Sequence, residues 1–132
     1  MSSSPSARKR VLVVDDDEAL VRIVSRVLHD DYDVAIARDG AEGLAAASTA
    51  PYPDLIITDV QMPKLDGFDM INKLHENKEV PRMPVIFLTT RGGAKDMISG
   101  IQAGARHYLT KPIKIDTLRE KVGKALGEPK KE

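Results

Sequence analysis

Three short apolar runs constrain the fold more than any other feature of the chain: residues 11–14 (Val-Leu-Val-Val), 55–57 (Leu-Ile-Ile) and 85–88 (Val-Ile-Phe-Leu). A strand with one face in water alternates apolar and polar residues, whereas a strand covered on both faces does not. Each run is unalternating, rich in β-branched residues and too short for a helix. All three therefore read as central strands of a parallel sheet. Two weaker runs, 32–36 and 107–110, would serve as edge strands.

Helical patterns fill the gaps. Leu20, Ile23, Val24, Val27 and Leu28 form a stripe at i, i+3, i+4, i+7 and i+8 after a capping carboxylate at Asp17. Asp39 with Glu42 three residues on reads as a capping box opening an Ala-rich helix to about Thr49. Phe68, Ile71 and Leu74 mark a third helix, and Met97, Ile98 and Ile101 a fourth. Ile115, Leu118, Val122 and Ala125 mark a fifth that ends near Gly127. Lys114 is a poor cap, so that helix is expected to begin at Asp116. Alternation of five strands with five helices predicts an α/β fold with right-handed crossovers. Ligand sites in such folds lie beyond the C-terminal ends of the strands.

Those ends carry chemistry. The first strand runs into Asp15-Asp16-Asp17, the third into Asp59, the fourth into Thr89-Thr90 and the fifth into Lys111-Pro112. Asp15, Asp16 and Asp59 would repel one another unless a cation joined them. A divalent ion and Lys111 together would neutralise all three. Hard oxygen ligands with no imidazole beside them suit Mg²⁺ or Mn²⁺. A carboxylate next to such an ion and an ammonium is equipped to attack a phosphoryl group, because that transfer needs positioning and charge neutralisation above all. Taken singly, each residue has a plainer reading: Asp15-Asp16-Asp17 as helix caps, Asp59 as a turn residue, Thr89 as a strand-end hydroxyl and Lys111 as a solvated lysine. Their convergence from four segments is what argues for a site. His29, His75 and His107 sit in separate segments and predict no metal cluster.

The segments Val-Leu-Val-Val-Asp-Asp-Asp (11–17), Asp-Val-Gln-Met-Pro-Lys-Leu-Asp-Gly (59–67), Leu88-Thr89 and Tyr-Leu-Thr-Lys-Pro (108–112) resemble the response-regulator receiver domain of two-component signalling, in the family's order and spacing. The resemblance runs from about Arg10 to Leu126 and is to a single-domain, chemotaxis-regulator-like receiver. It implies a flavodoxin-like, doubly wound (βα)5 fold with parallel strand order 2-1-3-4-5. It also implies roles: Asp59 as phosphoacceptor, and Asp15, Asp16, Asp59 and the backbone carbonyl of Gln61 as metal ligands. Thr89 would be the switch hydroxyl, Lys111 the phosphate-neutralising lysine with a cis bond before Pro112, and Tyr108 the aromatic that follows Thr89. The implied partners are a sensor histidine kinase or phosphotransfer protein and a downstream protein controlled through the fourth helix, fifth strand and fifth helix. Such a receiver catalyses only its own phosphorylation and dephosphorylation. Thr90 and Lys114 depart from common family choices. Gln61 and Arg91 stand at positions that vary widely in the family and adjust phosphoryl lifetime, and Arg91 is expected to shield the phosphoryl group from water.

Composition sets outer limits. Hydrophobic residues make up 42% of the 132, enough for a core, and charged residues 30%, with 20 basic and 20 acidic groups in balance. That balance gives no reason to expect nucleic acid or an anionic membrane as partner. No cysteine is present, so thiolate chemistry is excluded, and the start lacks the apolar stretch of a secretory signal. A cytoplasmic protein is expected, with a flexible lead at 1–9, a receiver domain at 10–127 and a charged tail at 128–132 that leaves no room for an output domain. Two rival readings stay open. One is a haloacid-dehalogenase-type phosphatase with Asp15 as nucleophile and Asp17 as its partner. The other is a protein-binding module without phosphorylation. A mononucleotide site fits poorly, because the acidic first loop would repel phosphate.

Overall fold

Runs that lack alternation do become strands buried on both faces. The computed structural model describes residues 8–62, 64–89 and 107–128. Its strands are β1 (Arg10–Val14), β2 (Asp33–Ala37), β3 (Leu55–Asp59), β4 (Val85–Thr89) and β5 (His107–Thr110). Every residue of β3 and β4 is buried. The strands form one parallel sheet in the order β2-β1-β3-β4-β5, as the family resemblance implied. The described helices are α1 (Glu18–Leu28), α2 (Gly40–Ala47), α3 (Gly67–Glu76) and α4 (Ile115–Ala125). The helix expected around Met97, Ile98 and Ile101 lies outside the described residues, so α4 here is the fifth helix of the sequence reading.

The period of two along each strand divides the core. Leu12, Val14, Ile56 and Phe87 face α2 and α3, meeting Ala47, Met70, Ile71 and Leu74. Val11, Val13, Leu55, Ile57, Ile86 and Leu88 face α1 and α4, meeting Val21, Val24, Leu28, Leu118 and Val122. Two close approaches fix where helices start, one against β3 and one against the loop that follows it. A Cβ on Gly67 would stand 2.3 Å from the Asp59 carbonyl oxygen, and one on Gly40 would stand 2.1 Å from that of Leu65. Only a residue without a side chain fits either place.

Three aspartates start three helices. Asp17 accepts from the N–H groups of Ala19 and Leu20, Asp39 from that of Glu42 and Asp66 from that of Asp69. Glu42 accepts in return from the N–H of Arg38, one residue upstream of the N-cap N–H that usually donates in a capping box.

The structure corrects four details. β2 covers 33–37, one residue later than expected, because Tyr32 closes the turn after α1 through its N–H to the Leu28 carbonyl. α2 stops at Ala47: the Ser48 and Thr49 hydroxyls bond back to Leu44 and Ala45, and proline follows at 51. α4 begins at Ile115, with Lys114 at the cap position and no side-chain capping bond, so its first turn closes through the Lys114 carbonyl alone. In α1 the buried face is Val21, Val24 and Leu28, while Ile23 is 53% exposed. Apolar residues at 20, 21, 23, 24, 27 and 28 cover one broad arc, so a stripe that takes in Ile23 at one flank and one that takes in Val21 at the other look alike.

Candidate functional site

The sheet order places β1 and β3 side by side, so the residues that follow them meet at one edge. Asp15, just beyond β1, is fully buried, and its Oδ1 accepts the N–H of Asp17 at 2.9 Å. Asp59, at the end of β3, is 7% exposed. Asp16 turns outward yet offers its carboxylate to the same point: one oxygen from each of Asp15, Asp16 and Asp59 lies within 4.8 Å of the others. β5 lies beyond β4, and Lys111 follows it, anchored by its N–H to the Thr89 carbonyl at 2.8 Å. The Lys111–Pro112 bond is cis. From there the Lys111 ammonium reaches back across the edge, with Nζ 3.1 Å from Asp15 Oδ2 and 3.3 Å from Asp59 Oδ2.

The electrostatics follow from this crowding. Burial, and then the charge of Asp15, push the Asp59 carboxyl above the usual carboxylate range, with Lys111 pulling the other way. Burial disfavours the Lys111 ammonium, but Asp15 and Asp59 outweigh it and raise its proton affinity. Asp15 Oδ2 is buried and lacks a hydrogen bond of good geometry, held by the ion pair with Lys111 alone. A buried carboxylate oxygen in that condition, beside two further carboxylates, suits a hard divalent cation. The residues present therefore fit Mg²⁺ or Mn²⁺.

The remaining predicted residues gather around this cluster. The N–H of Gln61 donates to Asp59 Oδ1 over a long 3.4 Å, which keeps its peptide at the cluster's rim. Thr89 is buried at the end of β4. Register pairs Phe87 with Tyr108 and Thr89 with Thr110, so Thr89 and Tyr108 share one face of the sheet. The half-buried Tyr108 ring stacks on Phe87 with centroids 6.0 Å apart, and Phe68 meets Phe87 edge-on at 4.6 Å. Thr90 and Arg91 lie outside the described residues. Gly67 was legible only as a turn glycine; its packing on the Asp59 backbone comes from a contact that no local pattern signals.

The family model of the response regulator receiver domain matches residues 11–123. The chain belongs to that family. This receiver domain is 34% identical over 122 residues to a chemotaxis protein CheY homolog of Campylobacter jejuni, covering 89% of the chain and 92% of that protein. It is 42% identical over 105 residues to the response regulator PleD of Caulobacter vibrioides, covering 79% of the chain and 23% of PleD. The crystal structure of chemotaxis protein CheY4 from Vibrio cholerae superposes with a TM-score of 0.83 at 34% identity, over 90% of this chain and 99% of that one. Of several longer regulators that it matches, the chain spans only 23% to 51%. The phosphatase reading loses its footing in this family, and Asp15, its nucleophile, is fully buried. Among the described residues no helix is long and apolar enough to cross a membrane.

Proposed function

We propose that this receiver domain is a phosphorylation-dependent switch in which Asp59 accepts a phosphoryl group from the phosphohistidine of a sensor histidine kinase or phosphotransfer protein. The observation that carries the reading is Lys111 Nζ standing between the carboxylates of Asp15 and Asp59 at 3.1 and 3.3 Å, in a family of phosphorylation switches. An Asp59 carboxylate oxygen bonds to phosphorus as the phosphorus–nitrogen bond breaks, its electron pair leaving with the imidazole. Lys111 pairs with the incoming phosphoryl oxygens, and the Thr89 hydroxyl donates to one of them. Asp15, Asp16, Asp59 and the Gln61 backbone carbonyl would hold Mg²⁺ or Mn²⁺, which when bound supplies further neutralisation of the phosphoryl charge. The chain turns over no other substrate.

Thr89 and Tyr108 form the switch. Movement of Thr89 toward the phosphoryl group clears space on the face that Tyr108 shares, and the surface at β5 and α4 changes its affinity for a downstream protein. The receiver occupies residues 10–127, between a lead at 1–9 and a tail at 128–132. It works in the cytoplasm, with no nucleic acid or membrane contact of its own. Incubation with acetyl phosphate and Mg²⁺, followed by intact mass measurement, tests the reading. Wild type should gain one phosphoryl group, whereas Asp59→Asn, or wild type in EDTA, should gain none. Full phosphorylation of the variant would remove Asp59 from the role.

A further inference from the structure

We propose that the free edge of β2 is a docking site where an extended, acidic peptide of a protein partner joins the sheet as a sixth strand. β2 ends the sheet order, so among the described residues only one of its edges is paired. The Asp33 N–H bonds to the Lys9 carbonyl, and the Ala37 carbonyl accepts the N–H of Asp15. In a parallel ladder both groups of one residue point the same way and alternate along the strand. Residues 33, 35 and 37 therefore serve β1, and the N–H and C=O groups of Val34 and Ile36 point outward from the sheet.

A strand added at such an edge sends its side chains alternately to the two faces, so it needs room on both. Both faces provide it. On the α1 side a groove of about 340 Å³ runs along the edge between Ile36 and α1, with Val21, Arg22, Arg26 and His29 in its wall. On the α2 side a second groove of about 260 Å³ lies over the first halves of β1 and β2, with Leu12, Ala35, Ala46, Thr49, Pro51 and Pro53 in its wall. Ile36 is 40% exposed, an apolar side chain left uncovered at the centre of the edge.

Charge selects the occupant. Arg22 and Arg26 stand one turn apart on α1, and neither has an acidic partner among the described residues. The groove's acidic residue, Glu18, is already taken by Arg38 at 2.6 Å. On the α2 side the lining is mostly apolar. A fitting peptide therefore alternates, with acidic side chains over α1 and small apolar ones over the prolines. A second copy of this chain fits badly, since a two-fold pairing of β2 edges would set the arginines of one copy against those of the other. Unpaired edges also risk aggregation, and arginines beside one can simply guard it. The experiment separates these cases.

A blocked peptide of about eight residues alternating glutamate and valine, a common strand length, is titrated into the isotope-labelled protein and followed by NMR. Saturable shifts along β2 and α1 are expected, with amide exchange slowed several-fold at Val34 and Ile36. The double variant Arg22→Glu/Arg26→Glu, checked for intact fold by its spectrum, should bind about tenfold more weakly. Ile36→Pro, which lacks one outward donor, should lose the exchange protection at Val34. A silent β2 edge, equal binding of a lysine–valine peptide, or shifts without protection of Val34 and Ile36 would overturn the proposal. Self-association of the free protein through β2, seen by sedimentation, would overturn it in favour of a second copy.

Discussion

At the scale of single residues, the site's charges oppose one another before any ligand arrives. Asp59 sits beside Asp15 in a buried place, and its raised proton affinity is the measure of that conflict. The sign for stability follows. A carboxyl whose folded value is raised favours the folded state below its unfolded value, near the usual 3.8, and that contribution is lost as pH rises through the folded value. At neutral pH the ionised Asp59 is therefore a cost to the metal-free protein. Asp59→Asn should raise Tm at pH 7 by a few degrees, on the order of 1 kcal/mol, and the gain should shrink toward pH 4. Thermal melts in EDTA at both pH values check this; a variant less stable than wild type at pH 7 would mean that Lys111 outweighs burial and Asp15. The sequence showed these residues as candidates because strand ends are readable from apolar runs. It could not show that Lys111 bridges both carboxylates, or that Asp15 Oδ2 is left without a hydrogen bond, since both depend on where four distant segments cross.

At the scale of elements, strands were more legible than helix faces. Burial on both sides fills the middles of β1, β3 and β4 with apolar residues and leaves polar ones to their ends, so their positions follow directly from the runs. Caps were legible too, because Asp17 and Asp39 act through bonds to their own next turn. The face of α1 was not, since apolar residues cover more of its circumference than one stripe and tertiary packing selects among them. Val21 is 2% exposed, whereas Ile23 is 53% exposed. Val21→Ala should therefore cost about 2 kcal/mol in urea unfolding, while Ile23→Ala should stay within about 0.5 kcal/mol. Equal losses would mean that the helix is rotated relative to this packing. The same logic explains the length of α2: Ser48 and Thr49 have the right spacing for a helix, but their hydroxyls bond back to α2 carbonyls as the chain leaves it for Pro51.

At the scale of the whole molecule, the two ends of the described chain close on the same corner. Arg8 donates to the carbonyls of His29 and Tyr32 and pairs with Asp33, so it fastens the chain before β1 to the turn after α1. From the other end, Glu128 accepts the Tyr32 hydroxyl at 2.6 Å, beyond the last turn of α4. The sequence offers no sign of this closure, because the partners are 96 positions apart and neither belongs to a motif. Burial, followed by the hydrogen bond and charge of Glu128, raises the Tyr32 phenol far above its ordinary value of 10. A group whose folded value is raised lends stability that is full below the unfolded value and is lost as pH climbs from there toward the folded one. Wild type should thus lose stability steadily above about pH 10, where the unfolded tyrosine ionises and the folded one does not. Tyr32→Phe should lose about 1 kcal/mol at pH 8, the net worth of one such hydrogen bond, and should show a shallower alkaline decline because the linked proton is gone. Urea unfolding of both proteins from pH 8 to 11 gives the comparison. Parallel decline in the two would show that Tyr32 is not tied to Glu128 in solution, and that the C-terminal end of α4 is held to this corner by packing against the sheet alone.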